Sequence, residues 1–144
     1  MTAQTLSTFH LIPRLQRQAH EHKGHAGKVL IIGGAPGMAG AALLAGRAAL
    51  HAGAGWVILG FIDERAVSVL SDQPELMLRT AQVGDIAQIQ PDVIAIGPGL
   101  GQGDLAAQLL LDALQSNALL VIDADALNLI AANAQLLEIG RAHV

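Results

Sequence analysis

The stretch Lys28-Val29-Leu30-Ile31-Ile32-Gly33-Gly34-Ala35-Pro36-Gly37-Met38-Ala39-Gly40 decides the fold of this chain. Val29–Ile32 is a short aliphatic run rich in β-branched residues, which is typical of a strand buried on both faces. The glycines and the Pro-Gly pair that follow it predict a tight turn. From Gly40 the apolar residues take a helical period, so the stretch predicts a strand, a glycine loop and a helix.

The helix has predicted contacts and a predicted end. Leu43, Gly46 or Arg47, and Leu50 are predicted to form one face, with Leu44 and Ala48 beside that face. We expect the helix to end at Gly53 or Gly55, because glycine readily adopts the left-handed conformation of a helix C-cap.

A glycine loop that leads into a helix N-terminus favours an anion. Free backbone N–H groups and the positive end of the helix dipole point the same way there. Glycine also lets a ligand approach the backbone without meeting a Cβ atom. The sequence therefore predicts a phosphorylated ligand at this loop, whereas turn geometry alone is the alternative reading of the glycines.

Composition limits the other possibilities. A length of 144 residues allows at most one domain, and a formal charge of −4 argues against a general nucleic-acid binder. With no cysteine, disulfides and thiolate chemistry are excluded, and a cytoplasmic location is favoured. No apolar run approaches the roughly 20 residues that a membrane span needs. Nor do the first twenty residues contain a signal-peptide core.

Further strands and helices alternate along the chain. Predicted strands cover Trp56–Phe61, Leu76–Leu78 at an edge, Asp92–Ile96 and Leu119–Ile122. Predicted helices begin at Asp63 (with Val67 and Leu70 inward), cover Gly84–Gln90 and Leu105–Gln115, and run from an Asp125 N-cap to about Asn133. Such alternation predicts right-handed βαβ units and a parallel sheet.

Ligands of parallel sheets bind beyond the carboxyl ends of the strands. The first glycine loop, Gly97–Gly101 and Asp123–Asn128 each follow a predicted strand directly. We expect these three segments to converge on one edge of the sheet.

Several chemistries compete for this edge. A Rossmann dinucleotide fold would place Asp63 or Glu64 on a ribose, but the loop reads Gly34-x-x-Gly37-x-x-Gly40 and not G-x-G-x-x-G. The P-loop motif is absent as well.

Two groups of side chains raise the question of a metal. Asp123 and Asp125 either bind a metal, act as acid and base, or divide into one ligand-facing carboxylate and one helix cap. We favour that division, with Asp125 as the cap. His20, His22 and His25 do not have the spacing of a metal site, and no metal is predicted there.

Six ordered motifs resemble the ADP- or ATP-dependent NAD(P)H-hydrate dehydratases. They are His22-Lys23-Gly24-x-x-Gly27-Lys28-Val29-Leu30-x-Ile32-Gly33-Gly34, Gly40-Ala41-Ala42-Leu43-Leu44-Ala45, Ala48-Ala49-Leu50-x-Ala52-Gly53-Ala54-Gly55, Gln73-Pro74-Glu75-Leu76-Met77, Gly97-Pro98-Gly99-Leu100-Gly101 and Asp123-Ala124-Asp125-Ala126-Leu127-Asn128. The resemblance implies a ribokinase-like α/β fold: a parallel sheet with helices on both faces, here truncated about half-way.

The resemblance also implies an activity, which is the repair of hydrated NADH or NADPH by dehydration driven by ADP or ATP, with Mg²⁺. It implies a homo-oligomer, often a tetramer. By motif position, Ala41 or Ala42 and Gly101 would contact the hydrated dinucleotide. The supporting loop residues would be Gly34, Gly37, Gly40, Gly97, Gly99, Asp123 and Asn128.

Three later motifs of the family are missing. The T-P-H-P-G-E segment, the lysine-containing nucleotide-binding stretch and the G-[ST]-G-D loop with the catalytic Asp do not occur in these 144 residues. We therefore expect this chain to be inactive and poorly stable alone. A ribokinase-superfamily small-molecule kinase and a non-enzymatic dinucleotide-binding module remain the alternatives.

The chain divides into three predicted parts. Residues 1–21 are an N-terminal extension, too short for a fused epimerase domain, in which Leu11–Leu15 is expected to pack on the domain edge. Residues 22–137 are the partial dehydratase domain. Residues 138–144 read Glu-Ile-Gly-Arg-Ala-His-Val, which matches an in-frame translation of a sequencing adapter. A natural short ending is the alternative for this tail.

Overall fold

The computed structural model describes residues 27–133 and Leu136. The N-terminal extension, the three histidines and the tail from residue 138 lie outside the described residues. The elements in chain order are β1 (Lys28–Gly33), α1 (Ala39–His51), β2 (Trp56–Phe61), β3 (Leu76–Thr80), α2 (Asp85–Ile89), β4 (Val93–Ile96), α3 (Asp104–Gln115), β5 (Leu119–Ile122) and α4 (Ala124–Ala132).

The five strands form one parallel sheet in the order β3-β2-β1-β4-β5. Strand β1 lies at its centre, where a continuous apolar run is needed because both faces are covered. The register pairs Ile31 with Leu59 of β2 and with Ala95 of β4. From β1 the chain adds β2 and β3 on one side of the sheet and then β4 and β5 on the other side, so the strand order switches between β1 and β4. Open α/β sheets bind ligands at such a switch point. The predicted α/β parallel sheet is confirmed.

Alternate residues of β1 serve two separate cores. Ile31 packs in a cluster with α1, whereas Leu30 and Ile32 pack with α2, α3 and α4 on the opposite face. This follows from the twofold side-chain period of a strand.

Helix α1 approaches the sheet through its small residues. Ala42 and Gly46 are buried, and a Cβ atom at Gly46 would lie 2.9 Å from a Leu59 methyl group. Leu44 is 70% exposed, so its predicted place beside the packed face is wrong. At the C-terminus, Gly53 has φ +100° and donates to Leu50 O, which fits the expected glycine cap.

The connection from β2 to β3 contains no helix. The predicted helix from Asp63 is wrong, because Asp63 Oδ1 accepts the backbone N–H of Arg65 and holds the chain in a local turn. Of the two residues expected to face inward, Leu70 packs against the α1 core and Val67 is 51% exposed. The spacing of apolar residues alone therefore predicted a helix where the chain forms turns.

Strand β5 is an edge strand with one uncovered face. Leu120 and Ile122 pack against the core formed by α3 and α4, whereas Leu119 and Val121 are 70% and 55% exposed. No helix of the described part of the chain covers that second face. The predicted strand Leu119–Ile122 is therefore present, and it forms an edge of the sheet with exposed apolar side chains.

Candidate functional site

Three loops meet at the carboxyl edge of the sheet. They are residues 34–38 after β1, residues 97–103 after β4, and Asp123 after β5. We call this surface the glycine edge. Because parallel strands end on the same side, the elements themselves bring these loops together.

Backbone hydrogen bonds join the first two loops. Ala35 N–H donates to Gly99 O at 2.6 Å, and Gly34 N–H donates to Pro98 O at 3.1 Å. Met38 N–H closes the first loop by donating to Ala35 O. The two loops therefore form one continuous surface across β1 and β4, as the sequence predicted.

Glycine is required at two positions of the second loop. Gly97 has φ +131°, and a Cβ atom there would overlap the carbonyl oxygen of Asp123. Gly99 has φ +60°, and a Cβ atom there would lie 2.7 Å from Met38 O. Both glycines thus allow a close approach between backbone segments, which turn formation alone would not demand.

Asp125 anchors the second loop instead of capping a helix. Its Oδ2 accepts the backbone N–H of Gly101 at 2.9 Å, whereas Asp123 occupies the N-cap position of α4 without a side-chain capping bond. The predicted N-cap role of Asp125 is therefore wrong by two residues. A carboxylate in the first turn of a helix that abuts a glycine loop was the available clue, since such a loop offers free N–H groups.

The backbone beside this anchor is strained. Ala124 has φ +42°, which L-residues other than glycine, asparagine and aspartate rarely adopt. It follows Asp123, whose carbonyl oxygen contacts Gly97. A strained backbone conformation of this kind persists only where surrounding contacts hold it in place. Here the contact between the ends of β4 and β5 holds it.

The helix N-termini at this edge differ in charge. None of α1, α3 and α4 has a side-chain hydrogen bond at its N-cap. Asp104 and Asp125 lie in the first turns of α3 and α4, whereas α1 has no acidic residue there. An anion is therefore favoured at the N-terminus of α1 and repelled by carboxylates at the other two.

The alanines named by motif position lie in different environments. Ala41 faces the second loop, with its Cβ 3.3 Å from the position of a Cβ on Gly99, whereas Ala42 is fully buried against the sheet. Gly101 has φ +72° and lies near the side chains of Ala35 and Met38. Met38, 39% exposed, was not predicted from the sequence.

The remaining loop residues are peripheral or structural. Gly34 has φ +63°, and its missing side chain leaves room for the Phe61 ring. Gly37 (φ +82°) and Gly40 have open space around them, and Asn128 lies exposed on α4. The structure thus brings Gly97, Gly99 and Gly101 together with the first loop and leaves Asn128 outside that contact.

The described residues do not form a metal site. Asp125 is committed to the Gly101 amide, and residues 27–133 contain no group of three His, Asp or Glu side chains that could hold an ion.

Asp63 is held within its own turn. Its pKa is lowered, first by the backbone N–H of Arg65 and then by the Arg65 side chain, partly against the effect of burial. Arg65 Nε lies 3.3 Å from Asp63 Oδ1. Because these contacts engage the carboxylate locally, the geometry disfavours Asp63 as the ribose ligand of a Rossmann site.

Comparison with known proteins agrees with the motifs and the fold. A family model described as NAD(P)H-hydrate dehydratase matches residues 29–144. The chain is 41% identical over 128 residues to the bifunctional NAD(P)H-hydrate repair enzyme Nnr of Coxiella burnetii, covering 85% of this chain and 25% of that protein. Other curated relatives are named ADP-dependent (S)-NAD(P)H-hydrate dehydratases.

Two solved structures share the fold. A ribokinase-like superfamily protein of Enterococcus faecalis superposes with a TM-score of 0.71 at 29% identity, over 83% of this chain and 44% of that one. The ADP/ATP-dependent NAD(P)H-hydrate dehydratase of Bacillus subtilis, co-crystallised with ATP/Mg²⁺, gives 0.66 at 33% identity, over 78% and 42%. The chain thus spans less than half of either structure.

Among the described residues, no helix is long and apolar enough to cross a membrane. The ordered motifs, the parallel sheet with its glycine edge and the family match over residues 29–144 agree with one another. This chain belongs to the NAD(P)H-hydrate dehydratase family and has its ribokinase-like fold.

Proposed function

We propose that the chain carries the amino-terminal part of an NAD(P)H-hydrate dehydratase, in which the glycine edge holds hydrated NADH or NADPH. The hydrogen bond from Ala35 N–H to Gly99 O supports this most directly. It joins the loops of two family motifs into one glycine-lined surface at the sheet's switch point, where dinucleotides bind in open α/β sheets.

Each part of the edge has a proposed role. The N-terminus of α1 holds a phosphate of the dinucleotide, because it has free N–H groups and no nearby acid in its first turn. Ala41 and Gly101 contact the ligand, and Asp125 fixes Gly101 in place through its amide. Ala42 supports α1 from the core side, where it is fully buried.

ADP or ATP is the proposed co-substrate and drives the loss of water from the hydrated ring. Residues that would bind this nucleotide and Mg²⁺ belong to motifs that these 144 residues do not contain. The residues present therefore bind and orient the dinucleotide, and the chain alone is expected to bind it without turnover. The full enzyme is proposed to be a cytoplasmic homo-oligomer, as a tetramer.

The test uses the protein completed from its genomic locus. Hydrated NADH is supplied with ADP or ATP, and recovery of the reduced-nicotinamide absorbance is followed. Gly101→Ala should weaken binding of the hydrated dinucleotide, because the backbone angle φ +72° at this position disfavours a side chain. Gly103→Ala is the control and should leave binding unchanged, because Gly103 has φ −78° and open space around it. A folded protein that recovers no absorbance with either nucleotide would refute the assignment.

A small-molecule kinase is the second candidate, because the E. faecalis neighbour places the fold in the ribokinase-like superfamily. Phosphoryl transfer to a hydroxymethyl-pyrimidine or thiazole alcohol, without dehydratase activity, would favour it. For a dinucleotide-binding module, an unchanged NAD affinity after charge reversal at Asp63 would count against the ribose contact.

We also propose that residues 138–144 are translated adapter sequence and that the dehydratase domain begins at residue 22. Resequencing the locus tests this, since a genomic stop codon directly after Val144 would contradict the adapter origin.

A further inference from the structure

Met38 is a large apolar residue of the glycine edge whose side chain is exposed, by 39%. Leu100, in the second loop of the same edge, is by contrast buried. A single exposed apolar side chain is ordinary on a protein surface. The contacts of Met38 therefore decide whether it has a role at this site.

The Met38 side chain runs from the first loop along the second. Its Cβ atom lies 2.8 Å from the position of a Cβ on Gly99, and its Cε methyl group lies 4.0 Å from the position of a Cβ on Gly101. The Cβ atom of Ala35 lies 3.4 Å from that same position on Gly101. Methyl groups of Ala35 and Met38 therefore border the space that the missing Gly101 side chain leaves.

The backbone N–H groups of this corner are already bonded. Gly101 N–H donates to Asp125 Oδ2, Ala35 N–H donates to Gly99 O, and Met38 N–H donates to Ala35 O. The corner therefore offers a ligand methyl groups and a bare Cα atom. Such a surface suits an uncharged ring and disfavours a phosphate, which needs N–H donors or cations.

Free N–H groups lie directly beside the corner. Within residues 27–133, the backbone N–H groups of Gly37, Ala39 and Gly40 have no protein acceptor. They flank Met38, the N-cap residue of α1, where the helix dipole favours a phosphate. A place for an anion and a place for an apolar group are thus adjacent, as a nucleotide requires, because a ribose joins its phosphate to an uncharged ring.

We propose that Met38 is a specificity-determining residue of the dehydratase site, whose thioether packs against an uncharged ring of the bound dinucleotide while the start of α1 holds the adjoining phosphate. This inference rests on the proposed function, which places the dinucleotide at the glycine edge. Methionine suits the contact, because its flexible and polarizable side chain adapts to the shape of a ring. The ring is either the hydrated nicotinamide or the adenine, and mononucleotides separate the two.

Oxidation by hydrogen peroxide measures the contact in the protein completed from its genomic locus, without ADP or ATP. Peroxide transfers one oxygen atom to an accessible thioether and is itself reduced to water, and mass spectrometry quantifies the sulfoxide at each methionine. Met77 is the internal control, because it is 41% exposed and lies in edge strand β3, outside the glycine edge. Saturating hydrated NADH should slow the oxidation of Met38 by roughly fivefold or more and leave that of Met77 unchanged. Comparing the hydrate of reduced nicotinamide mononucleotide with AMP then identifies the ring that protects Met38.

Variants of Met38 separate ligand contact from a structural role. Met38→Gln keeps the length of the side chain but adds a polar amide, whereas Met38→Leu keeps an apolar side chain of similar volume. Met38→Gln should raise KM for hydrated NADH by roughly five- to tenfold, with smaller changes in kcat and in Tm. Met38→Leu, the conservative variant, should raise KM less. Met77→Gln and Met77→Leu are the matched pair and should leave KM unchanged.

Equal oxidation rates of Met38 with and without hydrated NADH would overturn the proposal. Equal protection of Met38 and Met77, or equal KM values for Met38→Gln and Met38→Leu, would do the same. The proposed function fails by a different result, when the folded protein recovers no absorbance with either nucleotide. A protein that recovers the absorbance while Met38 stays unprotected would keep the dehydratase assignment and lose only the Met38 contact.

Discussion

Gly97→Ala should destabilise the chain more than any ordinary loop substitution. At φ +131° an L-residue is strained, which costs about 1–3 kcal/mol, and the added Cβ overlaps the carbonyl oxygen of Asp123. Displacing a packed neighbour costs a further 1–3 kcal/mol or so. The expected loss is therefore about 2–6 kcal/mol, a large part of a typical net stability of about 5–15 kcal/mol.

The assay is urea unfolding at low protein concentration, which limits association through the exposed β5 edge. Gly40→Ala is the matched control, because Gly40 lies in α1 with open space around it. The same change there should stabilise the chain by about 0.5–1 kcal/mol, since alanine favours a helix over glycine. A loss below about 1 kcal/mol at Gly97 would refute the close approach between the ends of β4 and β5.

Three further changes test the anchor, a turn and the sheet edge. Asp125→Ala should lower the free energy of unfolding in urea by about 1.5–3 kcal/mol and expose the Gly101 amide to hydrogen exchange. Asp125→Asn should lose less stability, because its side-chain oxygen can still accept the Gly101 N–H; equal losses for the two variants would contradict the anchor. In an NMR titration, Arg65→Ala should leave the pKa of Asp63 mostly as low as before, because the backbone N–H of residue 65 is the largest cause of the lowering. Arg65→Pro removes that N–H and should raise the pKa of Asp63. Since that pKa is depressed, its stabilising effect is present above the ordinary carboxyl pKa and is lost as pH falls through the folded value. Leu119→Glu should reduce binding of a hydrophobic dye at little cost in stability, whereas Leu120→Glu, on the packed face, should unfold the chain; equal effects would contradict the one-sided edge.

The uncovered face of β5 explains why we expect poor behaviour of the chain alone. Parallel strands are normally covered on both faces, yet Leu119 and Val121 face outward. At about 25 cal/mol per Å², several hundred Å² of uncovered apolar surface would amount to a substantial part of a domain's stability. Aggregation or dye binding by the isolated chain is the expected consequence.

Local pattern succeeded where neighbouring residues decide the structure. The strand–loop–helix unit from Lys28 to Gly53 followed from apolar periodicity and glycine placement, both of which act over a few residues. Pattern failed at Asp63, because apolar spacing at Val67 and Leu70 imitates a helix while the Asp63 side chain stabilises a turn. It also misplaced Leu44, since α1 packs through small residues that hydrophobicity underrates.

The sequence by itself determined the family, the parallel α/β sheet and the convergence of glycine loops at one edge, because these depend on motif order and on periods of two and 3.6 residues. Only the tertiary structure decided which atoms meet there. Asp125 reaches Gly101 across 24 positions, and Gly97 meets the Asp123 carbonyl between two strand ends. Such contacts depend on the relative placement of elements that are distant in the chain, and local residue preferences do not encode that placement.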